Sequence, residues 1–140
     1  MNSDKNYEIF NHTADIGIKI VANSLPEIFE KAILATADLL SGGIEIKPRI
    51  KKILTIEEDD INTVLVCVLE EIIYFFESQV FLPSECSIKI ENNHYEIILK
   101  GSIASMEEIK HGTEIKAVTY HKLEIKKAND EYQATVIFDV

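Results

Sequence analysis

The fold class is decided by residues 86–99, CSIKIENNHYEIIL, which have the pattern of a β-hairpin. Apolar and polar residues alternate on both sides of Asn92-Asn93, which is the period of two of a β-strand. Asparagine tolerates the positive φ that a two-residue turn needs. Pairing outward from the turn gives three facing pairs: Ile90 with Tyr95, Ile88 with Ile97, and Cys86 with Leu99. These side chains fall on one face, so the register is self-consistent.

Two segments before the hairpin have helical periodicity. The first begins at Ser24, which stands three residues before Glu27 as in a capping box, and it ends at Gly42-Gly43. The second runs from about Ile61 to Ser78. Each carries an apolar stripe on one face. The stripes contain Leu25, Ile28, Phe29, Ala32, Ile33, Leu39 and Leu40 in the first, and Ile61, Val64, Leu65, Val68, Leu69, Ile72, Phe75 and Phe76 in the second.

The remaining apolar alternation predicts further strands. They cover Tyr7–Phe10, Ile16–Ile20, Ile50–Glu57, Lys116–Lys126 and Tyr132–Phe138. Two amphipathic helices with such strands predict a single α+β domain over residues 1–140, a two-layer sandwich with a mostly antiparallel or mixed sheet.

Which residues of the strand from Lys116 point to the core depends on whether the strand contains a bulge. Leu123 and Ile125 are its inward residues, which places Ala117, Thr119 and His121 inward as well unless a bulge intervenes. Residues 103–112, just before it, are mostly polar and predict a connecting loop.

The composition of the chain disfavours several classes of function. The net charge is −10 and the pI about 4.8, with Lys and Arg scattered along the chain. Nucleic-acid affinity depends on cations that contact phosphates, so a stand-alone RNA or DNA binder is disfavoured. No apolar run is long enough for a membrane span, and the start of the chain is polar, which predicts a cytoplasmic protein without a signal peptide. Cys67 and Cys86 lie in apolar patterns and are expected to be reduced, inert thiols.

The acidic run Glu57-Glu58-Asp59-Asp60 precedes the second helix. Carboxylates suit the partial positive charge of a helix N-terminus, and we favour that interpretation over a metal site.

Asp15 and Asp139 lie at strand ends, out of phase with the apolar residues. Asp15 is in phase with Gly17 and Lys19, so its carboxylate should point away from the core. The last strand's apolar phase stops at Phe138, so Asp139 and Val140 are expected to add nothing to the core. These carboxylates, with that of Val140, would supply oxygen ligands for a hard cation if their strands are neighbours. The alternative is that both are ordinary surface acids.

The spacing of the histidines does not add any of them to this set of metal ligands. His12, His94, His111 and His121 have no zinc-ligand spacing to one another or to a cysteine. A glycine-rich phosphate loop and a nucleophile elbow are also missing from the sequence, and we assign no catalytic residue.

Three stretches together resemble the archease family. They are His12-Thr13-Ala14-Asp15-Ile16, Gly112-Thr113-Glu114-Ile115-Lys116-Ala117-Val118-Thr119-Tyr120-His121, and Val136-Ile137-Phe138-Asp139-Val140. Their order and spacing match the family, and the resemblance covers essentially the whole chain.

The resemblance implies an activator rather than an enzyme. A protein similar to archeases is expected to promote guanylylation and multiple turnover of the GTP-dependent RNA ligase that joins tRNA halves, touching tRNA only indirectly. It also implies a divalent metal site at Asp15, Asp139 and Val140, with Ca²⁺ as the first expectation and Mg²⁺ or Mn²⁺ as alternatives. His12, Lys116 and His121 match the family blocks and are candidates for partner contact.

Three alternatives remain open at this point. The chain would modulate or chaperone a tRNA cytosine-5 methyltransferase, hydrolyse phosphate compounds with a metal, or serve as a pure scaffold. Scaffolding predicts that variants of the carboxylates keep activity, and a phosphohydrolase predicts turnover by the purified protein.

Overall fold

The computed structural model describes residues 7–12 and 15–140. Its elements in chain order are β1 (Tyr7–His12), β2 (Asp15–Ala22), α1 (Leu25–Ser41), β3 (Ile50–Glu57), α2 (Ile61–Gln79), β4 (Phe81–Glu91), β5 (His94–Ile103), β6 (Ala117–Ala128) and β7 (Glu131–Asp139).

The strands form two antiparallel sheets. A four-stranded sheet has the order β1-β2-β7-β6, and a three-stranded sheet has the order β3-β5-β4. Helix α1 packs on β2 and β7 of the first sheet and on β4 of the second, while α2 packs on β6 and β4. The helices therefore join the two sheets through one shared core. The α+β class is confirmed, and the structure adds that the strands divide between two sheets.

Helix α1 begins and ends where the sequence predicts. Ser24 Oγ accepts a hydrogen bond from the Glu27 N–H at 3.3 Å, and Gly42 closes the helix in the left-handed conformation with φ of 81°. Its apolar face is buried, with Phe29 among the largest fully buried side chains. Neither helix in the described part of the chain is long and apolar enough to span a membrane.

The loop before β6 is fastened to the last turn of α1. The Thr113 N–H donates to the Leu39 carbonyl oxygen at 2.7 Å, which satisfies a carbonyl that the helix end leaves free. Gly112 lies so close that a Cβ there would stand 1.9 Å from the Leu40 carbonyl oxygen. A side chain larger than hydrogen at this position would therefore push the loop away from the helix.

The hairpin has the predicted register, with the three facing pairs as expected. It is longer than predicted, because β4 begins at Phe81. Phe81 and Leu82 are fully buried. Between Pro83 and Glu85 the register shifts, and Gly101 permits this because a Cβ there would stand 1.9 Å from the Leu82 carbonyl oxygen.

Strand β6 contains the bulge that the phase analysis left open. Thr119 pairs with Ile137 and Glu124 with Thr135, so the four residues 120–123 stand opposite Val136 alone. Lys122 takes a φ of 57° inside this segment. Because three extra residues reverse the side-chain alternation, the exception for a bulge applies, and Ala117, Thr119 and His121 are not in the inward phase. Val118 is inward instead, at 7% exposure, and His121 is exposed.

Candidate metal-binding site

One register row crosses all four strands of the larger sheet at a single end. His12 pairs with Asp15, Asp15 with Asp139, and Asp139 with Ala117. Directly opposite residues have Cβ atoms about 4.5–5.5 Å apart. The two aspartates are therefore brought together by strand pairing, although they lie near opposite ends of the printed sequence.

The alternation of each strand sets the direction of the two carboxylates. Ile16 packs against the core next to Asp15, and Phe138 is fully buried next to Asp139. Asp15 and Asp139 therefore share the opposite face of the sheet, as the phase of Asp15 predicted. We call this pair the carboxylate pair.

Asp15 carries an unsatisfied atom. Its Oδ1 is buried and has no hydrogen-bond partner among the described residues. A buried polar oxygen left without a partner costs free energy, and native structures rarely keep one without an explanation such as an ion. Two adjacent carboxylates, one of them with a free buried oxygen, fit the oxygen-rich ligand set that Ca²⁺ or Mg²⁺ requires.

Side chains alone do not complete a metal site. Within residues 7–12 and 15–140, no group of three or more His, Cys, Asp or Glu side chains is placed to hold an ion. The predicted set contains two such side chains, so it depends on the Val140 carboxylate as a third donor. The expectation that Val140 adds nothing to the core is wrong, because its side chain packs against the core in phase with Phe138. That packing fixes Val140 beside the pair.

Lys116 lies next to the carboxylate pair. Its N–H donates to the Asp139 carbonyl oxygen at 2.8 Å, and its side chain is exposed. The preceding residue, Ile115, is buried at 3% exposure and anchors the segment. The backbone of Lys116 is therefore fixed beside Asp139, and its side chain is accessible to a partner.

The two candidate histidines differ in position. His121 is exposed within the bulge, and its N–H donates to Thr119 Oγ1 at 3.3 Å. It follows Thr119, which already pairs with Ile137 and not with Asp139, so His121 is not part of the row. The His12 backbone belongs to the row, but its side chain, with Thr13 and Ala14, lies outside the described residues.

The acidic run before α2 serves the helix, as predicted. Asp60 is the N-cap, and its carboxylate accepts from the Asn62 N–H at 3.2 Å and from Thr63 Oγ1 at 2.8 Å. Glu58 Oε2 accepts the N–H of Asp59 at 2.8 Å. These carboxylates have partners within the protein and do not need an ion.

Both cysteines are free thiols. Burial, and next the negative charge of Glu30, raises the pKa of Cys86 to about 12. Burial also raises the pKa of Cys67, with a smaller contribution from nearby glutamates. Thiols held protonated in this way are poor nucleophiles, which agrees with the predicted inert role.

One cationic group was missed by the sequence analysis. Lys51 and Lys100 are treated there as scattered charges, but they lie directly opposite each other on β3 and β5. Extending the hairpin register to a third strand would have found them. The sequence carries no signal for which strand lies beside β5, so this juxtaposition requires the structure.

Together these features define a class: an α+β domain that presents a carboxylate pair at one end of an antiparallel sheet. The family model of the Archease protein family (MTH1598/TM1083) matches residues 7–140. The chain therefore belongs to the archease family, as the three sequence stretches suggested.

Relatives and solved structures agree with this assignment. The chain is 33% identical to protein archease of Methanosarcina barkeri over 97% of both chains, and 29% identical to that of Pyrococcus furiosus over 97% of this chain and 99% of the other. The solution structure of Methanobacterium thermoautotrophicum protein 1598 is similar, with a TM-score of 0.80, 26% identity, and coverage of 97% and 99%. A Thermotoga maritima archease crystal structure, described as a possible chaperone, has a TM-score of 0.65, 27% identity, and coverage of 95% and 96%.

Proposed function

We propose that this protein activates a GTP-dependent RNA ligase by promoting its guanylylation, through a divalent cation held by Asp15, Asp139 and the Val140 carboxylate. The observation that supports the proposal is the buried Oδ1 of Asp15, which lies directly across from Asp139 and has no hydrogen-bond partner among the residues that the structure describes. An uncompensated buried oxygen is retained at a cost to stability, which favours a function at this position.

The protein's own residues have distinct tasks in this proposal. Pairing of β2 with β7 holds the Cβ atoms of the two aspartates about 5 Å apart on one face, so their negative charges repel. A bound cation would neutralise this repulsion and supply a Lewis acid for phosphate oxygens. Because Asp139 is exposed, the site is open to a partner. Lys116 adds a positive charge at its edge, suited to a partner carboxylate or a nucleotide phosphate.

The charge of the chain supports a protein partner. A ligase that holds RNA needs a basic surface, and a protein with a net charge of −10 would approach such a surface with electrostatic steering. Rim charges of this kind act mainly on the association rate, so stimulation should weaken as salt is raised.

A chaperone role is the second candidate, because the Thermotoga maritima archease is described as a possible chaperone. Modulation of a tRNA cytosine-5 methyltransferase would fall under it. Such a role uses exposed apolar surface and has no need for the carboxylate pair. It predicts that Asp139→Ala suppresses aggregation of a client as well as the wild type does.

The deciding experiment measures ligase guanylylation from labelled GTP, without RNA, with and without this protein. We expect stimulation by the wild type and none by Asp139→Ala, Asp139→Asn or a chain extended beyond Val140. The extension keeps the Val140 side chain in the core and removes only its terminal carboxylate. Asp130→Ala, at the opposite end of β7, is the matched control and should stimulate fully.

Thermal unfolding of the same samples separates function from stability. The variants at residue 139 should keep the wild-type Tm, because that side chain is exposed. Full stimulation by Asp139→Ala, or loss of stimulation that tracks a loss of stability, would rule the proposed function out.

A further inference from the structure

Four cations gather where β3 begins and β5 ends. They are Lys47, Arg49, Lys51 and Lys100, and we call them the basic strip. All four side chains are exposed, and the ion pairs that the described residues form involve other cations. In a protein with a net charge of −10, a group of cations without acidic partners is unusual.

The strip is built by regular strand pairing. Lys51 lies directly opposite Lys100, with both side chains on the face away from the helices, since their neighbour Leu99 is buried. The Arg49 N–H donates to the Gly101 carbonyl oxygen at 2.9 Å, which continues the ladder by one step. Arg49 and Lys51 are two residues apart, about 6.6 Å along an extended strand, and thus share this face.

This arrangement is unfavourable for the isolated protein. Like charges directly opposite each other in a sheet destabilise it. Glu85 faces Lys100 from the other side, but no ion pair forms between them within 4.0 Å. Glu45 lies nearby in sequence and is also exposed, so the strip keeps an excess of positive charge.

Protection of a sheet edge explains only part of the strip. Lysine and proline on an edge strand prevent pairing with other chains, and this accounts for Pro48 and Lys51 on and beside β3. Lys100 lies on β5, the central strand of its sheet, where no edge needs protection. Its position opposite Lys51 therefore calls for another explanation.

Short segments connect both the strip and the carboxylate pair to the last turn of α1. From that turn, residues 44–49 lead directly to the start of β3. The loop after β5 is bonded to the same turn at Leu39 and then, through Lys116, to Asp139.

We infer that the basic strip binds the sugar–phosphate backbone of the RNA strand held by the partner ligase. This inference rests on the proposed function. Phosphates are recognised by Lys and Arg, and Arg49 and Lys51 present two exposed cations in succession along one strand. The overall negative charge opposes capture of free RNA, so the strip acts on RNA that a basic partner already holds.

The experiment compares two double variants with the same change in charge. Lys51→Gln with Lys100→Gln weakens the strip; Lys89→Gln with Lys126→Gln is the control, at exposed strand positions elsewhere. With ligase and activator saturating, we expect the strip variant to raise the KM for RNA about threefold to tenfold near 0.1 M salt. The slope of log KM for RNA against log salt concentration should be smaller by about 1.4 in the strip variant. Each single-strand phosphate that a lysine neutralises adds about 0.7 to this slope, and the variant loses two lysines. The control variant should match the wild type.

Guanylylation without RNA separates this inference from the proposed function. Because that step uses no RNA, the strip variant should stimulate it fully, whereas a failure of the wild type to stimulate it would count against the proposed function alone. An unchanged KM for RNA in the strip variant overturns the inference.

A photo-crosslinking amino acid at Ile53, which is 56% exposed and two residues beyond Lys51 on the same face, identifies the class of partner. We expect it to crosslink to labelled single-stranded RNA in the ligase complex, and weakly at low salt without the ligase. The same probe at Val21, on the other sheet, is the control and should not crosslink. Crosslinking of Ile53 to the ligase chain, or no crosslink to RNA with or without the ligase, would overturn the inference.

Discussion

Two groups of carboxylates in this protein look alike in sequence and differ in their partners. Residues 57–60 are the denser acidic run, but Asp60 and Glu58 accept hydrogen bonds from main-chain N–H groups at the start of α2. Asp15 and Asp139 are isolated acids in sequence, yet the fold sets them opposite each other, and no described residue bonds to Asp15 Oδ1. Density of charge is therefore a poorer guide to an ion site than the absence of an internal partner.

The difference between the two groups is tested first by removing one carboxylate from each. Asp15→Ala should reduce stimulation of ligase guanylylation by about tenfold to a hundredfold, the loss typical when a metal site is damaged. Asp60→Ala should stimulate as the wild type does. Guanylylation rates at matched protein concentrations provide the measurement, and an equal loss in both variants would remove the distinction between the groups.

The second test adds and removes metal. Ca²⁺ at a hundred times its Kd should stabilise the wild type by about 2.7 kcal/mol, and a chelator should reverse this. For a domain of this size the Tm should rise by roughly 8 °C. The Tm of Asp15→Ala should not rise when Ca²⁺ is added, whereas the Tm of Asp60→Ala should rise as much as that of the wild type. A wild-type Tm that is insensitive to Ca²⁺, Mg²⁺ and Mn²⁺ would contradict the site.

The third test measures stability without metal. Asp60→Ala loses the N-cap of α2 and should cost about 1 kcal/mol, since replacing such a cap by alanine typically costs 0.5–2 kcal/mol. Asp15→Ala removes an unsatisfied buried oxygen and should leave the free energy of unfolding unchanged or higher. Urea unfolding in the presence of a chelator measures both. A larger loss in Asp15→Ala would mean that Asp15 supports the fold.

The smallest expected effect concerns a third carboxylate, Glu108, which is satisfied as Asp60 is. Its Oε1 accepts the Ser105 N–H at 2.9 Å, and this hydrogen bond lowers the pKa of Glu108. A lowered pKa in the folded state adds stability above the unfolded pKa, which is lost as pH falls through the folded pKa. The Tm difference between wild type and Glu108→Gln should thus be small at pH 7 and shrink further as the pH falls below the ordinary pKa of a glutamate, about 4.3. A constant difference across this range would exclude the linkage.

The regular parts of the fold could be predicted because their signals are local. The hairpin register follows from alternation and a two-residue turn, and α1 is bounded by Ser24 and Gly42, whose side-chain and backbone chemistry act within one turn. The apolar start of β4 was missed because Phe81 and Leu82 are followed by Pro83, where the register shifts and alternation breaks.

The candidate site could be predicted only in part. The family resemblance and the phase of Asp15 identified the residues and the direction of that carboxylate. The adjacency of β2 and β7 is a long-range pairing that no local pattern encodes. The bulge in β6 was not predicted because it depends on how β6 pairs with β7, where residues 120–123 lie opposite Val136 alone. The partner of Lys51 across the sheet was hidden for the same reason.

The pairing of β2 with β7 also has a consequence for the timing of folding. Asp15 lies on the second strand of the chain and its partner β7 is the seventh, so β7 is synthesised long after Asp15. Long-range pairings of this kind form slowly, because the chain loses the entropy of closing a long loop before the contacts between the strands stabilise it. Until then, β2 lacks one of its neighbours and the carboxylate pair does not exist. A cation bound there would consequently report that the whole sheet has been assembled.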